Sequence, residues 1–266
     1  MLLIVVNLAV FAWQVTQPSA PNSSDSPHIE ELSEQDETTL QYGAIPYRLT
    51  HPGRDCAIAT ERAASGGIQQ DVVCEGTPEF RKAEARGALV QPLDSPPWWV
   101  TVFTSMFMHG GLLHIGFNML FLWIFGNNVE DSMGRGRFVL FYLLAGIAAA
   151  YAQALLDTDA TLPAVGASGA IAGVLGGYLL LYPHARVLTL VIIIFFVTLI
   201  EIPAVIMLGI WFVLQFLPAI GQLATPEVSA SGGGVAYFAH IGGFVFGLAT
   251  IRLFANRYRT TGPEYA

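Results

Sequence analysis

The chain has 266 residues, of which 53% are hydrophobic and only 12% are charged. A soluble domain usually carries about twice that charged fraction, so composition excludes an ordinary soluble protein. The formal net charge of −8 comes mainly from one polar stretch and says little about nucleic acid, but no block of Lys and Arg resembles a nucleic-acid patch. Charges concentrate between Asp25 and Asp94, and apolar runs follow from Trp98 onward. This distribution predicts a polytopic membrane protein with one polar insert.

The first apolar run, residues 1–16, predicts a first transmembrane helix. At about 1.5 Å per residue it would span roughly 24 Å, slightly less than a hydrocarbon core of about 30 Å. A signal peptide is the alternative interpretation. It is disfavoured because no Lys or Arg precedes the apolar run.

Residues 17–97 are rich in Pro, Ser, Gly and charged side chains, and they are too polar to cross a membrane. They predict a long first extracytoplasmic loop. Cys56 and Cys74, the only cysteines of the chain, both lie in it. On an oxidising side of the membrane they could form a disulfide worth about 3 kcal/mol in the entropic model. Two free thiols are the alternative.

Five further apolar segments predict five more spans. They cover about residues 112–125, 138–155, 166–182, 201–217 and 235–254. The apolar run from Val187 to Leu217 would be about 46 Å long as one helix, and Glu201 and Pro203 interrupt it. We therefore divide it into an interfacial or re-entrant piece, residues 187–199, and a fifth span that Glu201 begins. The predicted fold is an all-α polytopic membrane protein with a six-helix transmembrane bundle.

The basic residues of the short connections predict the topology. They are Arg135, Arg137, Arg186, Arg252, Arg257 and Arg259. With six spans all of them fall on one side, which the positive-inside rule makes cytoplasmic. Both termini are then cytoplasmic, residues 98–256 form the membrane core, and residues 257–266 form a cytoplasmic tail. Ser168 and His240 would both lie in the outer half of the membrane.

Glycines recur every fourth residue in two of the spans, so each set lines one helix face. They are Gly169, Gly173 and Gly177 in the fourth span and Gly243 and Gly247 in the sixth. Small residues let membrane helices approach backbone to backbone. If the two faces meet, Ser168 and His240 come together at similar depth. A serine hydroxyl beside an imidazole is the minimum of an activated serine nucleophile.

His114 and Asn118 are four residues apart, so they share a face near the outer end of the second span. Both carry N–H donors of the kind an oxyanion hole uses. The alternative is a structural role as hydrogen-bonding partners between helices. A metal site of His109, His114 and His240 is disfavoured, because His109 and His114 are five apart and no HExxH motif is present. No metal and no cofactor are predicted.

Three motifs together are much more specific than any one of them. They are HGGxxHxxxN from His109 to Asn118, GASG from Gly166 to Gly169, and AHIGGxxxG from Ala239 to Gly247. With the segments FNMLFLWIFGNNVED and IEIPAVIMLGIWFVLQF, they make the sequence resemble a rhomboid intramembrane serine protease of the bacterial six-span type. The resemblance covers Trp98 to Phe254 and, more loosely, the first span.

The resemblance implies a role for each matching residue. Ser168 corresponds to the nucleophile and His240 to the general base and acid. Asn118 and His114 correspond to the donors of the oxyanion hole, together with the Ser168 backbone N–H, and His109 corresponds to a supporting residue. Gly166 corresponds to the tight loop before the nucleophile, and Gly243 and Gly247 correspond to packing positions. One departure is Ala172, where some members have a tyrosine that stacks on the histidine. Other contacts must therefore orient this imidazole. The first loop is also longer and more polar than in compact members.

The implied activity is cleavage of single-pass transmembrane proteins near the outer face of a lipid bilayer. The implied location is the bacterial plasma (inner) membrane, and the sequence makes no prediction of oligomeric state. A non-catalytic rhomboid-like protein that captures transmembrane clients is the alternative, but such proteins typically lack the serine or the histidine. A transporter is disfavoured because no inverted repeat is visible.

Overall fold

The computed structural model describes residues 1–17, 34–62, 68–193, 195–224 and 235–256. The predicted tail, residues 257–266, lies outside the described residues. The chain divides into two compact units. Unit 1 comprises Met1–Met119 and Ala150–Ala167, and unit 2 comprises Leu120–Ala149 and the chain from Ser168 onward.

The described helices are α1 (Leu2–Gln14), α2 (Glu34–Tyr42), α3 (Pro46–Thr50), α4 (Pro78–Arg86), α5 (Trp98–Thr104), α6 (Leu112–Met133), α7 (Arg135–Leu156), α8 (Ser168–Leu181), α9 (Ala204–Ala224) and α10 (Tyr237–Phe254). A 3-10 turn, Ser105–Phe107, follows α5. The described strands are β1 (Cys56–Arg62), β2 (Ile68–Cys74), β3 (Leu89–Pro92), β4 (Arg186–Ile193) and β5 (Phe196–Pro203).

Four of the described helices are long and apolar enough to cross a membrane, namely α6, α7, α9 and α10. The predicted first and fourth spans form α1 and α8, which are shorter apolar helices. This mostly helical architecture fits the predicted all-α polytopic membrane protein. The two small sheets were not predicted from the sequence.

In unit 1 the predicted first loop folds into a small α/β layer. Its sheet is antiparallel with the strand order β2-β1-β3. Local signals explain α4: Pro78 occupies the first turn, and the Thr77 hydroxyl accepts a hydrogen bond from the Phe80 N–H at 3.1 Å. Gly87 ends the helix with φ 75°, a conformation that glycine adopts without strain.

Cys56 and Cys74 form a disulfide, which decides between the two alternatives that the sequence left open. The two cysteines face each other across β1 and β2, and both are buried. They pack with Ile45 and Tyr47 in a small apolar cluster. A polar segment with so few apolar residues gains much of its stability from such a covalent link.

In unit 2, α8 is buried on every side from Gly169 to Tyr178. A helix that is apolar all round belongs in a core. Its most extensive packing is against α10. A Cβ at Gly243 would overlap the Gly169 carbonyl oxygen, and one at Gly247 would overlap that of Gly173. The glycine faces of α8 and α10 therefore lie against each other.

The contact between α8 and α10 extends further than the predicted glycines. A Cβ at Gly177 would lie 2.8 Å from Ile251 Cδ1. Gly176, which the four-residue spacing did not select, faces the Phe244 carbonyl oxygen too closely to carry a side chain. The close approach thus continues for two helical turns beyond Gly169.

The segment 187–199, predicted as an interfacial or re-entrant piece of a long apolar run, forms most of a β-hairpin. Strands β4 and β5 pair antiparallel from Arg186 opposite Pro203 to Ile193 opposite Phe196. The segment is rich in Val, Ile, Thr and Phe, which favour strands over helices.

Glu201 was predicted to begin the fifth helix, and this is wrong. It lies in β5, where its Oε2 is 3.2 Å from Arg186 Nη1. Pro203 is the last strand residue and α9 begins at Ala204. The carboxylate therefore pairs across the hairpin instead of capping a helix.

Candidate active site

Ser168 is the first residue of α8 and is only partly buried. Backbone N–H groups in the first turn of a helix have no partner within that helix. The Ser168 N–H is one of them. The site therefore combines a nucleophile candidate with a backbone donor that the helix itself does not use, at a partially positive helix end.

Gly166 has φ 123°, a conformation that residues with a side chain rarely adopt. Its N–H donates to the Ser105 carbonyl at 2.8 Å. The GASG motif thus needs glycine at this position for a backbone reason.

Ser168 Oγ lies 2.8 Å from His240 Nε2. His240 is in the first turn of α10 and is 9% exposed. The close packing of α8 on α10 brings the two side chains to hydrogen-bond distance. Both residues belong to unit 2, and the predicted pairing is present in the structure.

A third side chain completes this arrangement, and the sequence interpretation did not select it. Gln215 of α9 places its Oε1 2.8 Å from His240 Nδ1. The Trp211 ring, one helical turn earlier, lies 6.0 Å from the imidazole. These are the contacts that orient the imidazole in the presence of Ala172. Gln215 is a polar residue in an apolar run, which was the signal available in the sequence.

His109, His114 and Asn118 lie together in unit 1. The His109 and His114 rings are 5.2 Å apart in an edge-on arrangement. His114 Nδ1 accepts a hydrogen bond from the Gly110 N–H at 3.3 Å. Asn118 is buried, and its Nδ2 donates to the His114 carbonyl at 3.0 Å. An amide NH2 carries two hydrogens, so this bond occupies one of two donors.

His109 is fully buried and is held by Gln14 of α1. Gln14 Oε1 accepts from the His109 N–H at 3.0 Å, and its Nε2 donates to the His109 carbonyl at 3.4 Å. Burial and the neighbouring His114 lower the pKa of His109 to about 4, against a smaller opposing effect of the Phe107 carbonyl. The ring is therefore neutral at pH 7, as suits a supporting residue.

In the described ranges, no group of three His, Cys, Asp or Glu side chains is arranged to hold a metal ion. The chemistry that the unit 2 residues can perform is nucleophilic. An imidazole within reach of a serine hydroxyl can accept its proton as the oxygen attacks an electrophile.

Much of the chain is similar in sequence to known proteins. A family model for the rhomboid domain matches residues 96–257. Rhomboid protein 1, mitochondrial, from Saccharomyces cerevisiae is 31% identical over 153 residues, which are 56% of this chain and 40% of that protein. Rhomboid protease GluP from Bacillus subtilis is 44% identical over 82 residues, covering 31% of this chain and 15% of that protein. Rhomboid protease GlpG from Salmonella newport is 37% identical over 51 residues, covering 19% and 18%. The chain thus spans less than half the length of each of these relatives.

Proposed function

Because the chain belongs to the rhomboid family, we propose that it is an intramembrane serine endopeptidase with Ser168 as its nucleophile and His240 as its general base. The observation that carries this proposal is the 2.8 Å contact between Ser168 Oγ and His240 Nε2. It supplies the nucleophile and base that acyl transfer needs. Two of the relatives are named as rhomboid proteases, which agrees with this activity.

The reaction proceeds in two steps. His240 accepts the Ser168 proton as Oγ attacks a peptide carbonyl, and it then donates that proton to the leaving amine as the C–N bond breaks. A water molecule, deprotonated by the same imidazole, hydrolyses the acyl-enzyme and returns Ser168. No carboxylate is assigned to the site, so the imidazolium is stabilised less than in a Ser-His-Asp triad and turnover is modest.

The oxyanion of each tetrahedral intermediate requires fixed N–H donors. The Ser168 backbone N–H is one, because it stands in the first turn of α8. Asn118 and His114 are the side-chain donors by resemblance to the family. The proposal is supported by their proximity to each other and by the second hydrogen on the Asn118 amide. His109 is a supporting residue, whose ring packs edge-on against that of His114.

The substrates are single-pass transmembrane proteins in a lipid bilayer. Peptide bonds in lipid are protected by helical hydrogen bonds, so a substrate must unwind locally before it reaches Ser168. Cleavage therefore falls near the outer end of a substrate helix that contains Gly, Ala or Pro, with a small residue before the scissile bond.

The proposed topology puts residues 1–16 across the membrane and residues 17–97 on the extracytoplasmic side of a bacterial plasma membrane. The Cys56–Cys74 disulfide supports this side, because disulfides persist in oxidising compartments. Residues 98–256 form the catalytic core, and both termini are cytoplasmic by the distribution of basic residues.

The test is cleavage of a tagged single-pass substrate in liposomes by the parent, Ser168→Ala and His240→Ala. Ser132→Ala and His184→Ala are the matched controls, since each removes the same side chain elsewhere in unit 2. We expect cleavage by the parent and both controls, with or without a chelator, and a loss of at least about 1,000-fold in the two site variants. Cleavage by Ser168→Ala at the parent rate would refute the proposal. Capture of the substrate without cleavage by the parent would favour the non-catalytic client-binding alternative.

A further inference from the structure

We infer that Gln215 is a positioning residue, which holds the His240 imidazole in the tautomer and orientation that proton transfer from Ser168 requires. The inference deepens the proposed function and rests on it. It begins from a chain of two contacts: Ser168 Oγ to His240 Nε2, and His240 Nδ1 to Gln215 Oε1, each 2.8 Å long. The three residues come from α8, α10 and α9.

The orientation of the Gln215 amide follows from its second contact. Its Nε2 donates to the Trp211 carbonyl one turn earlier in α9, at 3.5 Å. A carbonyl oxygen can only accept hydrogen bonds, so this long contact favours the orientation in which the NH2 end of the amide faces Trp211. The Oε1 end therefore faces His240.

This amide orientation determines where the histidine carries its proton. Gln215 Oε1 is an acceptor, so His240 Nδ1 must be the N–H that donates to it. A neutral imidazole has one N–H, and Nε2 is then the unprotonated nitrogen that accepts the Ser168 hydroxyl proton. With the opposite tautomer an N–H would face Ser168, and the imidazole could not act as its base.

The same contact stabilises the charged form of the imidazole. When Nε2 takes the Ser168 proton, the ring becomes a cation that still donates Nδ1–H to Gln215. Hydrogen bonds to a charged partner are about twice as strong as neutral ones. The amide carries no charge of its own, so it avoids the large cost of placing a carboxylate in an apolar environment. A neutral amide also serves as the third group in Cys-His-Asn proteases on unrelated folds.

Packing between α9 and α10 holds Gln215 at this distance. Trp211 and Gln215 are four residues apart and so share one face of α9. The Trp211 ring lies 6.0 Å from both the His240 and the Phe244 rings, and Phe212 lies 4.7 Å from Phe244. These aromatic contacts fix the helix from which the amide reaches the imidazole.

The test compares Gln215→Met, Gln215→Glu and the parent for kcat, KM and thermal unfolding. Methionine has a similar length but no amide oxygen, whereas glutamate keeps an oxygen acceptor at the same reach. Leu217→Ala is the matched control, because Leu217 lies on α9 two residues further on and is 60% exposed. Ser168→Ala is assayed in parallel.

We expect Gln215→Met to lower kcat by about 10- to 100-fold with KM changed less than about twofold and unfolding unchanged. Gln215→Glu should restore kcat to within about fivefold of the parent, because a carboxyl group that is neutral in an apolar environment keeps a C=O oxygen that accepts the same N–H. Leu217→Ala should match the parent.

Two results would overturn the inference: a kcat for Gln215→Met within about twofold of the parent, or an equal loss of kcat in Gln215→Glu and Gln215→Met. In either case an inactive Ser168→Ala variant leaves the proposed function standing. Cleavage by Ser168→Ala would instead refute the proposed function itself, together with the role of Gln215.

Discussion

Gly247 lies so close to the carbonyl oxygen of Gly173 that a Cβ on Gly247 would overlap it. We therefore expect Gly247→Ala to destabilise unit 2, since α8 and α10 must separate to make room. Overpacking of this kind costs about 1–3 kcal/mol. Thermal unfolding in detergent measures the effect.

Gly209→Ala is the matched control for Gly247→Ala. Gly209 also lies within a helix, but a Cβ there meets nothing within 4 Å. Its replacement should leave the protein as stable as the parent or raise the unfolding free energy by up to about 1 kcal/mol. Equal unfolding temperatures for Gly247→Ala and Gly209→Ala would contradict the close packing of α8 on α10.

Gly166→Ala should lower activity through the backbone. A φ of 123° strains any residue with a side chain, at a cost of about 1–3 kcal/mol. The loop before Ser168 would relax to another conformation, so the rate of substrate cleavage should fall. Gly136→Ala, where a Cβ meets nothing within 4 Å, is the control and should cleave at the parent rate. Cleavage by Gly166→Ala at the parent rate would show that the reaction does not depend on the backbone conformation of Gly166.

The disulfide should stabilise the α/β layer of unit 1. For Cys56 and Cys74, 18 residues apart, the entropic model gives about 3 kcal/mol. Dithiothreitol should therefore lower the unfolding temperature of the parent, but not that of a variant with both cysteines replaced by serine. Maleimide labelling of both thiols in freshly isolated membranes would contradict the disulfide and the proposed oxidising location.

Acid should destabilise the protein through His109. Its folded-state pKa is lowered from 6.5 to about 4, so the unfolded chain binds a proton more readily than the folded chain. Stability from this residue is therefore complete above pH 6.5 and falls as the pH drops towards 4. Between pH 7 and pH 4.5 the parent should lose about 2 kcal/mol more than His109→Gln. If the unfolding free energies of the parent and of His109→Gln changed equally across this range, the lowered pKa of His109 would be contradicted.

Much of unit 2 could be predicted from sequence because its determinants are local and periodic. The four-residue spacing of Gly169 and Gly173, with that of Gly243 and Gly247, was enough to predict which faces meet. The meeting of Ser168 and His240 followed from it. Gln215 was missed because one polar residue in an apolar helix does not indicate its partner, which only the packing of α9 on α10 reveals.

The two sheets were missed for different reasons. The 187–199 segment is apolar except for Thr189 and Thr198, and an apolar run without alternation does not distinguish a strand from a helix. Its content of the β-branched residues Val, Ile and Thr was the remaining indication of a strand. In the first loop Thr77, Pro78 and Gly87 carry the signals of helix α4, but the polarity of the segment predicts only that it does not cross a membrane. The pairing of β1 with β2 depends on contacts that composition does not report.

Covalent labelling of the nucleophile tests the central claim most directly. The parent, Ser168→Ala, His240→Ala and the control His184→Ala would be treated with a fluorophosphonate, and the modified residue identified by peptide mass spectrometry. We predict one adduct, on Ser168, in the parent and in His184→Ala, none in Ser168→Ala, and labelling at least about 100-fold slower in His240→Ala, because the base that activates the hydroxyl is gone. Labelling of another residue, or equally fast labelling of His240→Ala and the parent, would contradict the account.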